Sequence, residues 1–341
     1  MDLILGIETS CDETAAAVLE DGPRLRSTVV ASQVEVHAPY GGIVPELASR
    51  RHLESITPII DRALSDAGVS LGDVTAIAVT AGPGLVGSLL VGLSVAKAIA
   101  YSRRIPLVAV NHLEGHIAAV RLEWPALAYP FVALVVSGGH THLYHVPAEC
   151  VYRRLGRTRD DAAGEAFDKV AKLLNLGYPG GPAIEREANG GDSDAIRFPR
   201  AVCSDGSLDF SFSGLKTAVV HHVKGSGSTG RSVEALDPQE KRDICAGFQQ
   251  AAVDMLVERL MRAAREVGVN RLVVAGGVAC NGALRRALKI EAEAEGFELL
   301  VPSPGFCTDN AAMIAVAGSV RLRRGERAGW DLNASAGWPL A

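Results

Sequence analysis

A chain of 341 residues that is 48% hydrophobic can bury a large core, and its length suggests two lobes rather than one. With 36 glycines and aromatics at only 5%, it reads as an α/β protein with many tight turns and close backbone approaches. Its 34 basic against 39 acidic side chains leave a formal charge of −5, which excludes bulk electrostatics as the means of holding nucleic acid; RNA would need a local patch or a partner protein.

The cysteines Cys11, Cys150, Cys203, Cys245, Cys280 and Cys307 contain no C-x-x-C pair. They indicate neither a disulfide scaffold nor a zinc ribbon, and a reducing, cytoplasmic setting is expected. No basic n-region or cleavage site precedes the first strand at Leu3 to Ile7, so a secreted precursor is not expected.

From Leu3 to Leu19 the pattern is strand, polar turn (Glu8 to Glu13), strand, and Phe131 to Val146 repeats the plan around Ser137-Gly138-Gly139-His140-Thr141. This is a weak internal duplication. Each copy is either a hairpin whose backbone amides cup a phosphate or a plain hairpin turn. The apolar stretch Leu85 to Ala100 is interrupted by Gly87, Gly92 and Lys97, which predicts a buried core helix rather than a membrane span.

Leu107 to Val110 reads as a buried strand, after which Asn111 is a good N-cap for a helix. On that helix His112 and His116 would lie about 40° apart in azimuth, near enough to grip one metal ion. The spacing alone leaves two readings standing, a metal site and a polar helix start with two hydrogen-bonded histidines. Glu114 sits about 200° round from His112, so the general base of a His-Glu-x-x-His metallopeptidase is missing.

Three basic clusters are candidate patches: Arg50-Arg51-His52, Arg153-Arg154 with Arg157 and Arg159, and Arg285-Arg286 with Lys289. Asp161 to Leu174 is a predicted amphipathic helix on which Asp168 shares a flank with the apolar positions. Tyr178 to Pro182 is a rigid loop, and the Gly/Ser stretch from Gly225 to Gly230 carries no chemistry. Arg271 to Leu288 reads as a strand, a Gly276-Gly277 turn and a helix opened by Asn281, a phosphate-contact geometry that is neither a dinucleotide fingerprint nor a Walker loop. With the two hairpins it suggests a bilobal nucleotide cleft. Near the end, Thr308 or Asp309 can cap the helix beginning at Ala311, and Asp309 is also placed to be the missing oxygen ligand of the histidine pair.

These blocks together resemble the tRNA N6-adenosine threonylcarbamoyltransferase family, the TsaD and Kae-type proteins once labelled glycoproteases, nearly end to end. The resemblance rests on Gly6 to Thr14, Gly41 to Glu46, Asn111 to His116 and Val136 to Thr141, continues through Asp161 to Asp168, Tyr178 to Pro182 and Phe210 to Lys216, and ends with Gly276 to Val278, Asn281 and Thr308 to Asn310. It implies an actin-like (ASKHA) α/β fold of two lobes with duplicated ribonuclease H-like subdomains, one spanning 1–115 and completed by a helix at about 308–330, the other 116–307. It implies one divalent metal per subunit on His112, His116 and Asp309, iron (Fe2+) being the usual assignment and zinc or magnesium alternatives. Val135, Val136, Ser137, Gly138, Gly139, Asp168, Gly181, Glu185 and Asn281 would line the nucleotide pocket; many relatives carry Asp where Glu185 stands.

The implied reaction passes threonylcarbamoyl from threonylcarbamoyl-AMP to N6 of the adenosine beside the anticodon (position 37) in tRNAs reading codons that begin with adenine, with metal assistance and release of AMP. A TsaB-like paralogue and a TsaE-like ATPase are the implied companions, a homodimer is admitted, and no membrane is involved. The segment Gly41 to Ala67 is the expected partner or tRNA surface. Competing readings are a metallopeptidase of glycoproteins, an actin-like ATPase or sugar kinase, and a nucleotide-binding scaffold without turnover.

Overall fold

The computed structural model describes residues 2–201, 205–225 and 232–341, so Cys203 and nearly all of the Gly/Ser stretch lie outside the described residues. The chain divides into two compact units, Met1–Ala128 with Pro302–Ala341, and Tyr129–Val301.

The first unit is built on strands β1 (Leu3–Glu8), β2 (Glu13–Glu20), β3 (Arg24–Ser32), β4 (Ala76–Gly82) and β5 (Leu107–Asn111), in the order β3-β2-β1-β4-β5. The hairpin strands pair antiparallel, while β4 and β5 run parallel to β1. Every residue of β1 is buried, and its side chains alternate between two cores. Leu3, Leu5 and Ile7 join Ile56, Ile60 and Leu64 of α2 (Pro45–Ala67) and Leu93 and Ala96 of α3 (Val86–Arg103), whereas Ile4 joins Met313 to Ala317 of α11 (Ala311–Arg323). Short helices α1 (Val34–His37), α4 (His112–Ala118) and α10 (Pro304–Cys307) complete the unit. Glycines set how closely α11 approaches: a Cβ on Gly6 would lie 2.4 Å from the Ala311 carbonyl oxygen, and one on Gly318 2.3 Å from Ala78 Cβ.

The second unit repeats the plan with β6 (Phe131–Val136), β7 (Thr141–Ala148), β8 (Val151–Arg157), β9 (Arg271–Ala275) and β10 (Glu298–Leu300), ordered β10-β9-β6-β7-β8. Strand for strand this is the order of the first sheet, so the duplication hinted at by the two hairpins extends to the whole sheet, the ribonuclease H-like arrangement. Its helices are α5 (Ala163–Leu173), α6 (Gly180–Ala188), α7 (Ser213–Lys224), α8 (Pro238–Val267) and α9 (Gly282–Glu295). Helix α8 has matched ends: Asp237 accepts the Gln239 amide, Pro238 opens the first turn, and Gly268 closes the helix at φ 75°.

The stretch from Leu85 forms α3, and among the described residues no helix is long and apolar enough to cross a membrane. Asp161 lies ahead of α5, its carboxylate taken by Lys169 and Lys216, and the segment Tyr178 to Pro182 is the start of α6 rather than a loop, with Pro179 as N-cap.

Candidate metal and nucleotide sites

Strand β5 delivers Asn111 to the start of α4, where its side-chain oxygen accepts the Leu113 amide at 2.9 Å. This cap sets the helix phase, so His112 and His116 come side by side with ring centroids 4.7 Å apart. Asp309 arrives from the segment before α11, its Oδ1 lying 3.5 Å from His112 Nε2 and 3.2 Å from His116 Nε2. One donor atom from each of the three side chains falls within 4.8 Å of the others. Neither Asp309 nor Thr308 caps α11: the cap is Asn310, which accepts the Met313 amide at 2.9 Å.

Both imidazoles are buried, and neither ring nitrogen of His116 makes a hydrogen bond. An orphaned buried imidazole beside a second imidazole and a carboxylate is a donor set that fits a divalent transition metal. The second ring nitrogen of His112 is oriented from behind. Its Nδ1 lies 3.0 Å from Glu8 Oε2 and 3.1 Å from Ser10 Oγ, while Thr80 donates to Glu8 Oε2 at 2.7 Å. This leaves His112 Nε2 directed to Asp309, the carboxylate–histidine arrangement that metal sites use to fix a tautomer.

Burial alone would depress the His112 pKa, but the Asp309 and Glu8 carboxylates raise it to about 9. Burial would raise Glu8, yet His112 holds it below its ordinary range. Around them negative charge accumulates: burial and then the Asp309 charge push up Asp12, and burial lifts Glu13 to about 7. Such surplus carboxylate charge favours a cation. The Glu8 to Glu13 turn is less suited to an anion, since the Ser10 amide is committed to Glu8 Oε1. Glu114 faces elsewhere, as its helical phase requires, with Oε2 accepting from Arg321 Nε at 2.6 Å.

In the second unit the predicted nucleotide residues gather where β6 and β9 end. Ser137 closes the turn after β6 by donating its amide to the His140 carbonyl at 2.8 Å, which leaves the Gly138 and Gly139 amides without a partner among the described residues. A Cβ on Gly138 or Gly139 would meet nothing within 4 Å, whereas Gly164 of α5 must be glycine, its Cβ position lying 2.7 Å from the Ser137 oxygen. Val135 and Val136 are fully buried in β6. Asp168 Oδ1 accepts the Gly180 amide at 2.7 Å, Glu185 Oε1 accepts the Gly282 amide at 2.7 Å, and Asn281 caps α9 while donating to Gln249 Oε1 at 2.8 Å. Three of these residues therefore tie helix starts together, and Gly181 stands in open space beside one of them.

Sequence reasoning missed Glu8 as the residue behind His112, and Gln249 behind Asn281. The signal for Glu8 was present: a carboxylate closing a fully buried apolar strand needs a partner. Of the basic clusters, Arg50 pairs with Glu46 and Arg51 with Glu54, and His52 is buried against Thr14 and the Cys11 carbonyl.

A family model described as TsaD, tRNA N6-adenosine threonylcarbamoyltransferase, matches residues 24–316. A protein of that name from Geobacter metallireducens is 59% identical over 99% of this chain and 97% of its own length, and one from Anaeromyxobacter sp. is 56% identical over 99% of each. Among solved structures, HypF of T. kodakarensis superposes with a TM-score of 0.65 at 15% identity, over 95% of this chain and 48% of its own. The (R)-2-hydroxyglutaryl-CoA dehydratase component A of Acidaminococcus fermentans gives 0.52 at 18% identity, over 94% and 97%. At such identities these two speak to the fold alone, which is of the actin-like ASKHA type.

Proposed function

The chain belongs to the tRNA N6-adenosine threonylcarbamoyltransferase family, and from that premise we propose how its residues carry the reaction. The enzyme is an acyltransferase that modifies adenosine N6 in tRNA; its donor is threonylcarbamoyl-AMP and its acceptor the adenosine beside the anticodon. Identity above one half along the whole chain is the observation that carries this reading. The exocyclic amine is a weak nucleophile because its lone pair is delocalised into the ring. The acyl group must therefore arrive as a mixed anhydride, and the protein's task is to position it and stabilise charge.

His112, His116 and Asp309 would hold the divalent metal, iron by the family's usual assignment, and once bound it would supply Lewis acidity toward a phosphate or carbonyl oxygen. Glu8 holds the ring proton of His112 on Nδ1, the tautomer that leaves the Nε2 lone pair for a metal. The Gly138 and Gly139 amides neutralise charge on the departing AMP phosphate. Asp168 and Glu185 fix the starts of α6 and α9, leaving other first-turn amides of these helices for the nucleotide. Glu185 acts here through Gly282, and a ribose contact is assigned to Asp168 and Asn281 before it. A TsaB-like paralogue and a TsaE-like ATPase complete the assembly, with α2 as the partner face, where Leu53 is 66% exposed.

The test supplies the enzyme and its companions with tRNA and preformed threonylcarbamoyl-AMP. Modified adenosine and AMP should appear in equal amounts; neither an acyl-enzyme in single turnovers without tRNA nor cleavage of a glycoprotein substrate should be seen. A trapped acyl-enzyme would refute the direct transfer, and glycoprotein cleavage abolished by chelation would restore the peptidase reading.

A further inference from the structure

Strand β8 is one of the two edge strands of the second sheet and carries Arg153, Arg154 and Arg157, all exposed. Among the described residues none of the three guanidinium groups forms an ion pair, although the Arg157 backbone amide donates to Asp209 Oδ1 at 2.9 Å. The remaining cationic candidates are mostly engaged: Arg159 by Asp205 and Asp209, Lys289 by Glu293, and Arg285 by the Ala279 carbonyl. In a chain of net charge −5, β8 is thus a place where three positive charges stand close together without an ion-pair partner among the described residues.

The register gives the arginines aromatic company. Arg157 stands opposite His142, Arg154 opposite Tyr144 and Arg153 opposite His145. The rings run on as a chain, His140 to His142 at 5.5 Å, His142 to Tyr144 at 5.7 Å and Tyr144 to Tyr152 at 6.5 Å between centroids. Tyr144 donates to or accepts from His142 Nδ1 at 3.0 Å and is itself buried, so the accessible rings are those of His140, His142 and Tyr152.

Charges on an edge strand can simply deter edge-to-edge pairing. That role needs no single sign and no rings, whereas Arg154 and Arg157 on the face of the His142 ring, with Arg153 beside His145 on the other face of the same edge, match what binds RNA, ion pairs to phosphates with stacking or edge contacts nearby. The crowding also works against the free protein: after burial, the Arg154 and Arg157 charges keep His142 from protonating, lowering its pKa to about 4. A polyanion would relieve that repulsion.

We infer that β8, with the adjoining His142 and Tyr152 rings, is the surface on which this enzyme docks the phosphate backbone of its tRNA. The inference rests on the tRNA reading above and deepens it. Docking is electrostatic and independent of nucleotide sequence, so it sets affinity and salt dependence rather than the choice of adenosine.

The experiment measures tRNA binding by fluorescence anisotropy over a range of salt, for the full chain with its companions, comparing wild type with the triple variant R153Q/R154Q/R157Q and with R197Q. AMP binding by calorimetry and modification activity are measured alongside. The triple variant should bind tRNA about 10-fold or more weakly, with the slope of log affinity against log salt reduced by about 2 to 3, and with AMP affinity unchanged. R197Q, whose arginine already pairs with Asp194, should match wild type. Unchanged tRNA affinity and slope overturn the inference, as does loss of companion binding with tRNA affinity retained, or loss of solubility alone. If wild type modifies tRNA and the variant binds it equally well, this inference alone fails; if wild type does not modify tRNA, the functional reading fails and takes this inference with it.

Discussion

Glu8 Oε2 lies 3.0 Å from His112 Nδ1, joining residues 104 apart in sequence in a buried contact behind the histidine cluster. The carboxylate is held in turn by Thr80 and by the Ser10 amide, so the ring it orients has little freedom. Glu8→Gln should weaken divalent metal binding about 10- to 100-fold, the usual cost of losing such an outer partner. Competition titration with a chromophoric chelator reads this directly. Equal metal affinity in the variant would remove Glu8 from the site's design.

Neighbouring glycines at the start of α6 should behave oppositely. A Cβ on Gly180 would lie 2.5 Å from Asp168 Cα and 2.7 Å from the Phe167 oxygen, while at Gly181 it would meet nothing within 4 Å. Gly180→Ala should cost about 1–3 kcal/mol in urea unfolding. Gly181→Ala should leave stability equal or up to about 1 kcal/mol higher, yet weaken AMP binding if the ligand's backbone approach needs that space. Equal stability loss in both variants would contradict the packing described.

The ion pair of Glu114 and Arg321 is unequal in burial, with the two side chains 2% and 20% exposed. Arg321→Met removes a charged partner of a buried carboxylate and should cost about 1–3 kcal/mol. Adding Glu114→Gln should recover part of that loss, as a double-mutant cycle by chemical denaturation will show. The single Glu114→Gln variant should retain tRNA modification, since this carboxylate is no catalytic base.

His142 provides a pH signature. Its folded pKa, about 4, is below the ordinary 6.5, first through burial and then through Arg154 and Arg157. Between those values the unfolded chain binds more protons, so this residue's contribution is fully present above about pH 6.5 and is lost as pH falls toward 4. After allowance for solvent screening the contribution is about 1–2 kcal/mol. Arg154→Gln should raise the His142 pKa, though not to 6.5, because burial is the larger cause; an NMR titration of the ring protons follows it. An unmoved value would mean that Arg154 does not face the ring.

Much of the local architecture was legible because its causes are local. Asn111 before a helix, the azimuth of residues four apart and the outward phase of Glu114 follow from helix geometry alone. The repeat of hairpins announced the duplicated sheet. What stayed hidden depends on contacts far apart in sequence. Helix α11 is capped by Asn310 rather than by Thr308 or Asp309, a one-residue matter of where the first turn begins. Glu8 looked like part of a phosphate-cupping turn, since nothing near it in sequence reveals His112 behind it. Asn281 and Glu185 read as ligand contacts, and their structural bonds to Leu284, Gln249 and Gly282 could not be read from neighbouring sequence.

The most direct measurement is nucleoside mass spectrometry of tRNA incubated with this protein, its companions, threonine, bicarbonate and ATP, wild type beside His112→Ala. Wild type should convert the adenosine next to the anticodon to its threonylcarbamoyl form, and His112→Ala should abolish the product while AMP still binds. Modification surviving that substitution unimpaired would contradict a reaction centred on the His112, His116 and Asp309 cluster.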